Sequence, residues 1–87
     1  MERIERIEQA LRDAFEPVEL RVKDQSHLHA GHAGARDGLG HFDVFIVSDA
    51  FKDVARVRRH QMVYAAMGDM MQTDIHALAI LARAVDE

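Results

Sequence analysis

The spacing of apolar residues along these 87 positions changes from segment to segment, and each change predicts an element. Between Glu2 and Phe15 the apolar residues Ile4, Ile7, Leu11 and Phe15 recur at helical spacing, with Ala10 and Ala14 beside them. Glu2, Glu5, Arg6, Glu8, Arg12 and Asp13 fall off that stripe, which makes a solvated face over a packed one. The early acids suit the positive end of the helix dipole, and Glu2 stands at i,i+4 pairing distance from Arg6. Pro17 ends the helix, because the residue before a proline is pushed out of the α region. Val18–Asp24 then alternates strictly, with Val18, Leu20 and Val22 on one face, as in a half-buried strand.

His41–Ser48 is dense in β-branched and aromatic residues and predicts a second strand, antiparallel to the first. Phe42, Val44, Ile46 and Ser48 share one face; Asp43, Phe45 and Val47 share the other. Apolar residues on both faces mark a central strand. Ser48 and Asp49 are turn and N-cap types. Past Phe51 a helix is expected to run to about Met71, with Val57, His60, Tyr64, Met67 and Met71 on one face and Val63 at its margin. A histidine in such a stripe is ordinarily a hydrogen-bonded core residue, and methionines fill irregular gaps in cores. Arg58, Gln61, Ala65 and Asp69 point outward, with Arg59 near the edge. Met70–Asp74 reads as a turn. Ile75–Ala82 is a near-continuous apolar run of strand length, parallel to His41–Ser48 if the helix between them is a crossover. The expected fold class is α+β, with an α-β-β-α-β order, a three-stranded mixed sheet and helices packed on one face, over one domain spanning residues 1–87.

Composition narrows the function classes. There is no cysteine, so the chain brings neither a disulfide scaffold nor a thiolate ligand. No apolar run spans a bilayer, and the opening MERIERIEQ lacks a signal or transit layout, so a cytoplasmic location without a membrane is expected. A net charge of −4 argues against a nonspecific polyanion binder but leaves room for a local basic face. No nucleophile–base pair or carboxylate pair stands at a catalytic spacing, so no enzyme is expected.

Chemistry is concentrated in the histidines. The connection Gln25–Gly40 holds four glycines and three of the six histidines, and it is far longer than a tight hairpin loop. His27, His29 and His32 fall within it and His41 follows at the next strand. Such a loop is either a solvated connection or a source of neutral imidazole for a metal. Gly31-His32-Ala33-Gly34 spells GxxG, but a nucleic-acid-clamping GxxG loop joins two helices, whereas this one joins two strands. His76 is the one polar side chain of the last apolar run. Lys52, Arg56, Arg58 and Arg59 form the local concentration of positive charge, on a strand–turn–helix outline similar to a helix-turn-helix. They read either as a solvated helix start or as phosphate contacts.

These pieces, in order, resemble the BolA family over nearly the whole chain. The resemblance rests on Phe15-Glu16-Pro17-Val18, Asp24-Gln25-Ser26, the loop HAGHAG, His41-Phe42, Ile46-Val47-Ser48, Phe51, Arg59-His60, Met62-Val63-Tyr64 and Ile75-His76-Ala77-Leu78. It implies a fold similar to the class II KH domain without its GxxG clamp. It implies a non-enzymatic partner of monothiol glutaredoxins, sharing a 2Fe–2S cluster in iron–sulfur trafficking or iron sensing. The partner supplies cysteine and glutathione; this chain, as a monomer or weak homodimer, supplies imidazole. His76 matches the family's ligand in its His-Ala-Leu segment. In a histidine-loop type the second ligand is among His29, His41 and His32, with His29 and His41 ahead of His32. The alternative that the resemblance implies is a DNA-binding transcriptional regulator acting through residues 51–64. Three residues depart from the family pattern: Asp53 replaces a glycine, Gln61 an arginine and Gln25 an acid. The first two weaken the DNA reading, and none touches the candidate ligands.

Overall fold

The computed structural model describes residues 2–25 and 40–87 of the chain. Helix α1 (Arg3–Phe15) leads to strand β1 (Glu19–Asp24) and strand β2 (Gly40–Val47). A 3-10 turn at Asp49–Phe51 precedes helix α2 (Arg56–Met67), the short helix α3 (Met70–Thr73) and strand β3 (Ile75–Arg83). The sheet order is β1-β2-β3, with β1 antiparallel and β3 parallel to β2. This is the α-β-β-α-β, three-stranded mixed sheet expected from the pattern.

Helix α1 buries Ile7, Leu11 and Phe15, the stripe that helical spacing selects. Its end is set at Glu16, whose backbone takes the left-handed conformation (φ 44°, ψ 56°) and whose N–H donates to the Arg12 carbonyl at 3.0 Å. The core side of β2 carries Phe42, Val44 and Ile46, and meets Val63 and Met67 of α2 and Ile75, Leu78 and Ala82 of β3. Phe51 closes one end, its ring 5.0 Å from that of Phe15. Ser48 is buried there with both hydrogen-bonding roles used. Its hydroxyl donates to the Phe15 carbonyl at 2.7 Å and accepts from the Ala50 N–H at 3.1 Å, tying the end of α1 to the turn after β2.

Five expectations change. Val18 lies outside β1 and is 70% exposed; its backbone N–H still donates to Val47. The long helix predicted past Phe51 is broken, with α2 starting only at Arg56 and stopping at Gly68, whose φ of 56° an L side chain rarely adopts. Met70–Thr73 is then a helical turn rather than an irregular one. The inward face of α2 is Val63 and Met67, with Met62 and Ala66 packed against the core, while Val57 is 69% exposed. Periodicity alone leaves the phase of a short helix open when apolar residues lie on adjacent faces, and contact with the sheet settled it. Finally, Arg6 pairs with Asp74 rather than Glu2.

The free edge of β3 is not bare. The carbonyls of Leu78 and Ala82 accept from the Tyr64 hydroxyl at 3.2 Å and from Arg59 Nη1 at 3.0 Å. Side chains of α2 thus cover acceptors that would otherwise invite another strand.

Candidate functional site

The candidate site is a pair of histidines on the open side of the sheet. In β2 the alternation that buries Phe42 and Val44 turns His41, Asp43 and Phe45 to the face away from the helices. On β3 the register slips: Gly40 faces Ile75, but the next residue, His41, faces Ala77. His76 is therefore the extra residue of a β-bulge, a feature that re-aims side chains. It is exposed, and its ring lies 5.0 Å from that of the half-buried His41, inclined by 44°.

The bulge has a local cause. Asp74, just before β3, is anchored by Arg6 Nη2 at 2.5 Å, Arg3 Nε at 3.3 Å and the Thr73 hydroxyl at 2.8 Å. Its carbonyl accepts from the Gly40 N–H at 2.9 Å and starts the β2–β3 ladder. Ile75 must then turn inward to fill the core. Leu78 is also buried three residues later, one more than strict alternation allows, so the strand accommodates an extra residue at His76. The Asp74 carboxyl is held below its usual range, first by the Arg6 hydrogen bond and then by Thr73.

Opposite His76, the Gln25 N–H donates to the His41 carbonyl at 2.7 Å and the Gln25 amide donates to Asp43 Oδ2 at 3.1 Å. His29 and His32 lie outside the described residues, so the structure brings together two of the four named histidines, His41 and His76. Among the described residues no set of three His, Asp or Glu side chains is arranged around a metal position. An ion held by this pair takes its remaining donors from elsewhere. Two imidazoles on one ion, with metal–nitrogen bonds of about 2 Å, set their ring centres roughly 5 Å apart, the separation found for this pair.

The basic segment is less uniform than its sequence. Lys52, Arg56 and Arg58 are exposed, whereas the Arg59 side chain is 11% exposed and committed to internal partners. Its Nε–H donates to the Val54 carbonyl at 2.7 Å, and its two terminal nitrogens hold the Glu87 carboxylate at 2.5 and 3.0 Å. What precedes α2 is one 3-10 turn, not the full first helix of a helix-turn-helix.

Asp74 and Glu87 organise their surroundings, and sequence reading assigned neither a partner. Two arginines in the opening turns of α1, where cations oppose the dipole, were a signal that an acid elsewhere had to meet them.

A small α+β chain with a mixed three-stranded sheet, one helix layer and two surface histidines at the β2–β3 junction defines a narrow class. The chain belongs to the BolA family: the family description "BolA-like protein" matches residues 11–87. Protein BOLA1, chloroplastic, of Arabidopsis thaliana is 40% identical over 88 residues, covering 98% of this chain and 55% of that protein. The DNA-binding transcriptional regulator BolA of Escherichia coli is 41% identical over 83 residues, covering 95% of this chain and 76% of that protein. The solved structure of BolA1 from Arabidopsis thaliana superposes with a TM-score of 0.85 at 37% identity, covering 99% of this chain and 95% of that one. The chain spans about half the length of the chloroplastic relative. Among the described residues no helix is long and apolar enough to cross a membrane.

Proposed function

We propose that this chain, acting as one unit over residues 1–87, is a non-enzymatic cytoplasmic partner of monothiol glutaredoxins and shares a 2Fe–2S cluster with them. The observation that carries the reading is the 5.0 Å approach of His41 and His76 on an open sheet face. His76 is the first ligand in this proposal; the second is His41 or one of the loop histidines, His29 and His32. A cluster bound there would serve iron–sulfur trafficking or iron sensing. This chain's part is to present neutral imidazole, which raises a cluster's potential relative to thiolate. The bulge aims His76 outward, and the missing cysteine leaves the thiolates to the glutaredoxin and its glutathione. Because imidazole ligates only when unprotonated, cluster sharing weakens as pH falls through the imidazole range.

The test is the visible spectrum of the chain reconstituted with a monothiol glutaredoxin, iron and sulfide. His76→Ala is expected to shift or bleach the charge-transfer bands, and His41→Ala, His29→Ala and His32→Ala, made singly, identify the second ligand. A spectrum and cluster lifetime unchanged by His76→Ala reject His76 as ligand.

A second reading is DNA binding through residues 51–64. It is supported by the exposure of Lys52, Arg56 and Arg58 and by the likeness to the Escherichia coli relative, a DNA-binding transcriptional regulator. If those cations meet phosphates, affinity for duplex DNA falls steeply with added salt. Arg59 contributes little in this reading, since Glu87 already compensates it. A flat salt response counts against it.

A further inference from the structure

The end of β3 far from His76 carries a second built site. A hollow of about 550 Å³ opens between the start of α2 and the end of β3, lined by Val54, Arg56, Arg59, Leu81, Arg83 and Glu87. Its floor is the Arg59 guanidinium, which is held rigidly. Nε–H is fixed on the Val54 carbonyl and Nη1 on the Ala82 carbonyl. Both terminal nitrogens also reach Glu87, itself a lining residue of the hollow. They grip the Glu87 carboxylate in a two-point fork, and the Ala84 N–H adds a third donor at 2.7 Å. Three convergent donors, two of them on one planar guanidinium, match a carboxylate's geometry.

Two further arginines, Arg56 and Arg83, line the same hollow. Neither makes a salt bridge among the described residues. Asp86 and Glu87 act electrostatically on Arg59, while Arg56 and Arg83 bring two more cations to the same hollow. The hollow is also larger than one carboxylate requires. Leu81, 47% exposed at its rim, offers an apolar contact beside the acid site.

We infer that the Arg56–Arg59–Arg83 hollow is a docking site for an acidic segment of a partner protein, a carboxylate next to an apolar side chain, and that Glu87 occupies it in cis as an internal competitor. The chemistry favours carboxylate over phosphate because the resident occupant is a carboxylate held edge-on by a single guanidinium and one backbone amide. Arg83 lies seven residue steps along β3 from His76, roughly 23 Å at the usual strand rise, so a docked segment leaves the histidine pair open. The inference stands apart from the cluster reading and survives its failure.

The test uses the full chain and a blocked hexapeptide of alternating glutamate and leucine, followed by NMR of the Ala84 amide and the Arg59 Nε–H. In the unaltered chain binding is weak, because an internal competitor acts at high effective concentration. Glu87→Gln is expected to tighten binding by about tenfold or more, with saturable shifts at both reporter protons. Arg56→Ala with Arg83→Ala, added to Glu87→Gln, is expected to remove that gain without changing the melting temperature. The inference is overturned if Glu87→Gln gives no saturable shift at either reporter proton. It is equally overturned if inorganic phosphate at the same concentration displaces the peptide, which would make the hollow a general anion trap.

Discussion

Replacing Asp74 by Asn keeps the side chain's shape and removes its charge, and the consequence follows from three contacts. Asp74 accepts from Arg6 at 2.5 Å, from Arg3 at 3.3 Å and from the Thr73 hydroxyl at 2.8 Å, with its side chain only 12% exposed. A hydrogen bond to a charged group contributes about 1.5–3 kcal/mol when shielded from water. Both arginines are about 40% exposed, which screens the pairing and brings the expected loss to about 1–2 kcal/mol. For a chain of this size that corresponds to a melting temperature lowered by roughly 5–12 °C. The pH dependence has a definite sign. The carboxyl is held below its ordinary value in the folded state, so its contribution is complete above the unfolded carboxylate range, about pH 4. It is lost as pH falls through the lowered folded value. Thermal melts of the two proteins from pH 7 to pH 2.5 are therefore expected to differ fully at neutrality and to converge in acid. A double-mutant cycle with Arg6→Gln should return a coupling of about 0.5 kcal/mol or more. A gap that stays constant into acid, or a coupling indistinguishable from zero, refutes the reasoning.

Three further outcomes are expected. Ser48→Ala strands the buried Phe15 carbonyl and costs about 1–3 kcal/mol, read from urea midpoints at unchanged m-value; a cost under about 0.5 kcal/mol would show that neither bond matters. Asp53 holds a left-handed backbone (φ 60°), which glycine adopts without strain, so Asp53→Gly is expected to stabilise by about 0.5–1 kcal/mol; destabilisation would mean that the aspartate is held by something other than its backbone. The Glu87 carboxyl is lowered to about 2, first by the Arg59 hydrogen bond and then by the Ala84 N–H. A carbon-13 titration should therefore find it ionised at pH 3, with its contact to Arg59 fading only as pH approaches 2; an ordinary carboxylate midpoint would show that the contact does not form in solution.

The order and type of the main elements were legible along the chain because they follow from period alone. A 3.6-residue stripe selected Ile7, Leu11 and Phe15; alternation selected Phe42, Val44, Ile46 and Ser48; and a short apolar run marked β3. Types of side chain also limited the chemistry, since a chain with six histidines and no cysteine can offer imidazole but not thiolate. Position was another matter. Whether α2 packs by Val57 or by Val63 depends on which side faces the sheet, which local spacing leaves degenerate. That Arg6 meets Asp74 and Arg59 meets Glu87 depends on contacts 68 and 28 residues apart, visible only once the chain has folded back. The juxtaposition of His41 and His76 is of the same kind. It arises from a one-residue slip between parallel strands, imposed because Ile75 and Leu78 must both reach the core, and core packing is a property of the assembled layers rather than of any segment.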